Sequence, residues 1–128
     1  MSPTLIALTD ADIVQETFLG EALEHAPIGA IVLDEAGRYL AANRMACRLT
    51  GYEREELLER GPTDLAAEPE KVRGKLEEMA KGGLSHGKTG LRRADGSLIQ
   101  VEYRVGATRS GGLPYFVLVF WELESAET

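Results

Sequence analysis

Ser97-Leu98-Ile99-Gln100-Val101-Glu102-Tyr103-Arg104-Val105-Gly106-Ala107 decides the architecture. Ile99, Val101, Tyr103 and Val105 fall on one side of an extended chain, and Gln100, Glu102 and Arg104 on the other. Side chains of a strand alternate between faces, so a period of two with one apolar side predicts a strand covered on one face only. Asp95-Gly96 before it reads as a turn, and 84–93 as the strand leading in. Ser110-Gly111-Gly112 reads as the next turn. Leu113 to Leu123 then forms a strand that is apolar on both faces, which places it centrally or under cover on both sides.

Working outward, Ile28 to Asp34 and Arg38 to Ala42 read as a hairpin across the turn Asp34-Glu35-Ala36-Gly37. Asn43 offers a cap to a short helix at 44–49 that Gly51 stops. Glu53 to Arg60 reads as a further helix closed by Gly61-Pro62. Pro69 to Lys81 reads as a longer one with Val72, Leu76, Met79 and Ala80 at helical spacing, stopped by Gly82-Gly83. Ahead of all this, Thr9 and Asp12 form a capping-box pattern. The helix they open carries Ile13, Val14, Phe18, Leu19, Ala22 and Leu23 on one side and ends before Pro27. The order is helix, two strands, three helices, three strands. That predicts an α+β domain with one antiparallel sheet and helices packed on one face.

A length of 128 residues fits one domain and leaves no room for a dinucleotide-binding unit plus a substrate domain. The formal net charge is −7, unevenly spread. Residues 1–37 hold seven acids and no Lys or Arg, while 38–121 hold 14 bases against 11 acids. No basic stripe marks a direct nucleic-acid contact. The longest apolar run, Tyr115 to Trp121, is far short of the ~18 residues of a membrane helix, and the N-terminus lacks a signal-peptide pattern. Cys47 stands alone, so it forms no internal disulfide or cysteine metal cluster, which fits a reducing cytoplasm.

Chemical motifs are few. Gly82-Gly83-Leu84-Ser85-His86-Gly87-Lys88-Thr89 matches the phosphate-loop expression GxxxxGK[ST], and Ile31-Val32-Leu33-Asp34-Glu35 resembles a strand ending in magnesium-holding acids. A phosphate loop needs a strand before it and a helix after it, because the phosphate rests on that helix N-terminus. Here a helix precedes it and a turn follows within six residues, so a nucleotide-binding protein stays a remote alternative. His25, Cys47 and His86 match no metal spacing. No nucleophile–base set is suggested, and Cys47 reads as an inert thiol. The expectation is therefore no enzyme, no catalytic residue and no metal site.

Four stretches together resemble the PAS sensory domain family. Ala26-Pro27-Ile28-Gly29-Ala30-Ile31-Val32-Leu33-Asp34 is similar to its first strand. Ala41-Ala42-Asn43-Arg44-Met45-Ala46-Cys47-Arg48-Leu49-Thr50-Gly51-Tyr52, with Glu55-Glu56-Leu57-Leu58, is similar to its "N…a…l.GY…EEL" helix pair. Arg92-Arg93-Ala94-Asp95-Gly96-Ser97 resembles its "rr.DGs" turn, and Tyr115 to Glu122 its last strand. The resemblance covers about 22–123 and implies a five-stranded antiparallel sheet whose helices cup one face. It implies a non-enzymatic sensor that passes its signal to a histidine kinase or a helix-turn-helix regulator, in cis or in trans. The expected division is 1–25 as arm and dimerisation helix, 26–123 as sensory domain, and 124–128 as a tail towards an output domain or the chain end.

The resemblance also assigns residues. The inner sheet face would carry Ile31, Leu33, Leu91, Val101, Tyr103, Phe116, Leu118 and Phe120, as a cup for a small apolar ligand with Tyr103 as polar handle. The alternative is a core filled by these side chains in a ligand-free interaction module. A photoreactive flavin is not expected. Gly61-Pro62-Thr63-Asp64-Leu65 stands where the adduct-cysteine motif would be, and the flavin-contacting amides align with Leu91, Val101 and Phe120. Haem is not expected either, since residues 68–81 contain no His and His86 follows the helix. Ile13, Val14, Phe18 and Leu19 of the first helix, with Tyr115, Val117, Val119 and Trp121 on the outer sheet face, would pair two copies into a homodimer. The family's closing "D-I-T" reads Glu122-Leu123-Glu124, which leaves Glu122 as the signal-output residue.

Overall fold

The computed structural model describes residues 10–80, 84–110 and 113–124. In chain order they form α1 (Asp10–Glu24), β1 (Gly29–Asp34), β2 (Tyr39–Ala42), α2 (Arg44–Thr50), α3 (Arg54–Leu57), α4 (Pro62–Leu65), α5 (Pro69–Ala80), β3 (Leu84–Arg92), β4 (Leu98–Ser110) and β5 (Leu113–Glu122). The strands make one antiparallel sheet in the order β2-β1-β5-β4-β3. β5, apolar on both faces in the sequence, takes the centre. Its pairings Leu33↔Phe116, Ile31↔Leu118 and Tyr103↔Phe120 line up one face, and Val32↔Val117, Ala30↔Val119 and Glu102↔Trp121 the other.

Local chemistry sets the boundaries. The Asp34 carboxylate accepts from the N–H groups of Ala36 and Arg38 at 2.9 Å each, closing the β1–β2 turn, and Gly37 supplies the positive φ of 82° it needs. Asp34 is thus a turn residue rather than a metal-holding acid. Asn43 caps α2 by accepting from the Ala46 N–H, and Gly51 ends it with φ 78°. The Asp95 carboxylate accepts from both the N–H and the hydroxyl of Ser97, and Arg93–Ser97 forms the whole link between β3 and β4.

The sequence reading differs from the fold in several places. Gly61-Pro62, read as a stop, opens an additional helix, α4, between α3 and α5. Proline is well suited to a first helical position, and the Asp64 carboxylate accepts from the Gly61 N–H at 2.9 Å. The helix expected over Glu53 to Arg60 is confined to α3. The Thr9 cap, the Gly82-Gly83 stop and the Gly111-Gly112 turn lie outside the described residues. Lys88 and Thr89 stand inside β3, opposite Glu102 and Val101 of β4, so a strand follows the GxxxxGK[ST] match in place of the helix whose N-terminus a phosphate loop needs.

α2 to α5 cover one sheet face. Ile31, Leu33, Val101, Phe116 and Phe120 beneath them are no more than 3% exposed, as are Leu57 and Leu65 from the helices. Each such fully buried side chain stabilises the fold by about 1.5–3 kcal/mol. α1 lies apart from this core. Phe18, Leu19 and Leu23 are 71%, 61% and 41% exposed, and the helix is secured at its C-terminal end. There Glu24 receives two Arg54 guanidinium bonds of 2.9 Å, and Asn43 donates to the Leu23 carbonyl at 2.6 Å.

Candidate functional site

The inner sheet face and the α4–α5 wall do not close on each other. Between them lies a cavity of about 190 Å³. The sheet supplies Ile31 and Leu33 from β1, Leu91 from β3, Val101 and Tyr103 from β4, and Leu118 and Phe120 from β5. These are seven of the eight inner-face residues expected from the sequence. Phe116, the eighth, is buried opposite Leu33 in the core beside the cavity. These side chains leave the space open between the sheet and the helices.

Two glycines shape the sheet side of the cup. Tyr103 lies across β3 above Gly87, where an added methyl would sit 3.1 Å from its hydroxyl oxygen. Gly29 lies beneath Phe120, whose ring would be 2.6 Å from a methyl there. Both are places where a ring needs room against the sheet.

The opposite wall was not foreseen. Tyr39, Thr50, Pro62, Leu65, Val72 and Leu76 also line the cavity. α5 turns Val72 and Leu76 inward at the helical spacing visible in the sequence. Leu65 arrives with the unforeseen α4, and Tyr39 at the edge of β2 gave no alternation to read. The wall is tied to the sheet where Ala66 bridges Leu91 and the Ala67 N–H donates to the Gly90 carbonyl at 3.1 Å.

Polar groups in the cup are sparse. The Thr50 hydroxyl donates to the Ala46 carbonyl at 2.8 Å. Burial pushes the Tyr39 phenol well above its ordinary range, with nearby Asp64 adding to the effect, so it stays neutral. Lys75 holds its ammonium 5.9 Å from the centroid of the Tyr103 ring. Among the described residues no histidine, cysteine, Asp or Glu lines the cavity. Among the described residues no group of three or more His, Cys, Asp and Glu side chains is placed to hold a metal ion. Cys47 is half-buried in α2, and burial raises its thiol pKa.

The outer face carries the other set. Tyr115, Val117, Val119 and Trp121 are half-buried along β5, with Ala30 and Val32 of β1 beside them. A groove of about 170 Å³ separates Ala30, Val32 and Val117 from Gly20 and Leu23 of α1. Phe18 and Leu19 stand exposed on the same helix. Ile13 and Val14 lie on it too, but their side chains fall outside the described ones. Glu122 is exposed at the end of β5, opposite Val101 of the cup. Among the described residues no helix is long and apolar enough to cross a membrane.

A model of the PAS fold family matches residues 17–122. The oxygen sensor protein DosP of Escherichia coli (strain K12) is 30% identical over 118 residues, an alignment covering 86% of this chain and 15% of DosP. The chain thus spans a small part of that relative. The PAS domain of an HTR-like protein from Haloarcula marismortui superposes with a TM-score of 0.77 at 22% identity, covering 87% of this chain and 93% of the other. The PAS domain of a LuxR-family transcriptional regulator from Burkholderia thailandensis, crystallised in complex with ethanol, gives a TM-score of 0.68 at 20% identity, covering 81% and 96%.

Proposed function

The chain belongs to the PAS fold family and is a sensory signalling module, and from that premise we propose that it reads a small, mainly apolar molecule bound in the cup and reports it through a homodimer. The observation that carries this is the 190 Å³ cavity itself, walled by aliphatic and aromatic side chains. An apolar void of ~150 Å³ takes up a benzene-sized molecule, so the cup suits a ligand of roughly that class. The ethanol complex of the Burkholderia thailandensis domain supports the reading by showing a small organic molecule with a protein of this fold.

The larger cofactors fit the donor set poorly. A flavin ring calls for hydrogen-bonding partners, and the positions aligned with the flavin-contacting amides present Leu91, Val101 and Phe120 to the cup. Haem calls for an axial ligand, and among the described residues the cavity lining holds no His, Cys or Met. PAS domains are in general sensory rather than catalytic. We extend that to this chain, since its cup pairs no nucleophile with a base.

The signal path follows from strand alternation. On β1, Ile31 and Leu33 face the cup while Ala30 and Val32 face the groove under α1. A ligand that moves β1 therefore acts on both sides of the sheet. In this reading 26–123 is the sensor, and α1 with Tyr115, Val117, Val119 and Trp121 joins two copies. Glu122 hands the signal to a kinase or a helix-turn-helix regulator in the cytoplasm.

Two measurements test this. Native mass spectrometry and thermal unfolding with a series of short alcohols and hydrocarbons should reveal a bound species or a rise in Tm. A ligand at a hundred times its Kd contributes about 2.7 kcal/mol. Leu118→Trp, which fills the cup, should abolish the rise while keeping the far-UV spectrum. A wild-type chain that carries no ligand and responds to none of the series ends the ligand reading. For the homodimer, Phe18→Glu combined with Trp121→Glu should raise the dimer Kd at least ~10-fold, the scale of a lost apolar anchor. A wild-type chain that sediments as a monomer at high micromolar concentration ends the dimer reading.

A further inference from the structure

Among the described residues the side chains lining the cup include those of Lys71 and Lys75 but no Asp or Glu, in a chain whose net charge is −7. We infer that the ligand is an amphiphilic anion, a small monocarboxylate whose hydrocarbon part enters the cup while its head group meets Lys75. This rests on the ligand-site reading above and narrows it from apolar molecules in general to those with one acidic head.

The two lysines are not equivalent. Lys71 is exposed, and its ammonium is held by Glu68 at 2.9 Å. Lys88 borders the cup through its backbone alone, since its exposed side chain shares the outer sheet face with Glu102 and Trp121. Lys75 is half-buried, one helical turn after Lys71 on α5, and among the described residues no carboxylate lies within 4.0 Å of its ammonium. Its ammonium faces the Tyr103 ring, at the outer limit of a useful cation–π contact. The α5 acids do not supply a partner: Glu70 pairs with Arg73 at 3.3 Å, and Glu77 and Glu78 are exposed.

This arrangement discriminates by charge. A cation entering the cup would meet lysines and no acid. A neutral molecule would leave the Lys75 charge at an apolar mouth with only the ring to offset it. A carboxylate would complete the ion pair that the fold leaves open, and the Tyr103 hydroxyl at the same mouth is a hydrogen-bond donor. Locally positive lining in an acidic protein also raises the concentration of anions at the cup against the overall repulsion.

Amide-shift NMR titrations of the purified chain with hexanoate and with hexan-1-ol compare head groups on the same hydrocarbon. Hexanoate should bind about fivefold tighter, the scale of one partly exposed ion pair, and added salt should narrow the gap. Lys75→Met should erase the preference and leave hexanol affinity within about twofold, whereas Lys71→Met should keep it. Hexanol binding as tightly as hexanoate overturns the inference and leaves the ligand site standing. So does a preference that survives Lys75→Met or disappears with Lys71→Met. Binding of neither compound overturns the ligand-site reading and the inference together.

Discussion

Asn43→Ala lowers the stability of this domain by about 3 kcal/mol, seen as a fall in Tm of roughly 10 °C. The size follows from how fully the side chain is used. Its carbonyl oxygen accepts from the Ala46 N–H at 3.0 Å and the Ala30 N–H at 2.9 Å. Its amide nitrogen donates to the carbonyls of Leu23 at 2.6 Å and Ile28 at 3.0 Å. A capping residue alone is worth about 1 kcal/mol. Here the same group also satisfies backbone atoms where α1 ends and β1 begins, and Asn43 is only 6% exposed. Removing it leaves buried donors and acceptors without partners. Hydrogen exchange should quicken at the C-terminal turn of α1 and at Ala30, and Asn43→Ser, which keeps the cap but cannot reach all four partners, should lose about half as much. A loss under about 1 kcal/mol for the alanine variant would show that Asn43 acts as a cap and nothing more.

Asn43 also shows how far the sequence could be read. Its role as a cap was visible from its position before an apolar helical segment, because capping is local chemistry. Its grip on Leu23 and Ile28 was not, because those carbonyls arrive through tertiary folding. The same division runs through the cup. Val101 and Tyr103 were legible from the alternation of β4, while Ile31, Leu33, Leu118 and Phe120, on strands apolar on both faces, were legible only through the family resemblance. Tyr39, Leu65 and Lys75 were not. They come from a bulged edge strand, from a one-turn helix hidden behind Gly61-Pro62, and from a charged position on α5. Helical spacing on α1 located Phe18 and Leu19 on one side but could not say that this side faces away from the core.

Among the described glycines Gly61→Ala should be the most damaging added methyl, with a loss of about 3–5 kcal/mol and a fall in Tm beyond roughly 10 °C. Backbone conformation is not the reason, since Gly61 has φ −140° and ψ 178°, an extended geometry open to any residue. The reason is contact. A methyl there would overlap the carbonyl oxygen of Gly37, which is backbone and cannot rotate aside. Gly37 is itself fixed by its positive φ and by its N–H donating to the Asp34 carbonyl at 3.0 Å. Next to Gly61, the Arg60 carbonyl accepts from the Tyr39 N–H at 3.2 Å, so the two segments cannot part without losing that bond. Since Pro62 and Leu65 are cup wall, ligand binding should weaken along with stability. Gly74→Ala is the contrast. Nothing lies within 4 Å of a methyl at that position on α5, and alanine there should stabilise the helix by about 0.5–1 kcal/mol without touching the cup. Thermal unfolding of both variants separates the two effects. Comparable losses at both positions would mean that general backbone freedom, not the Gly37–Gly61 approach, is what glycine supplies at the base of the cup.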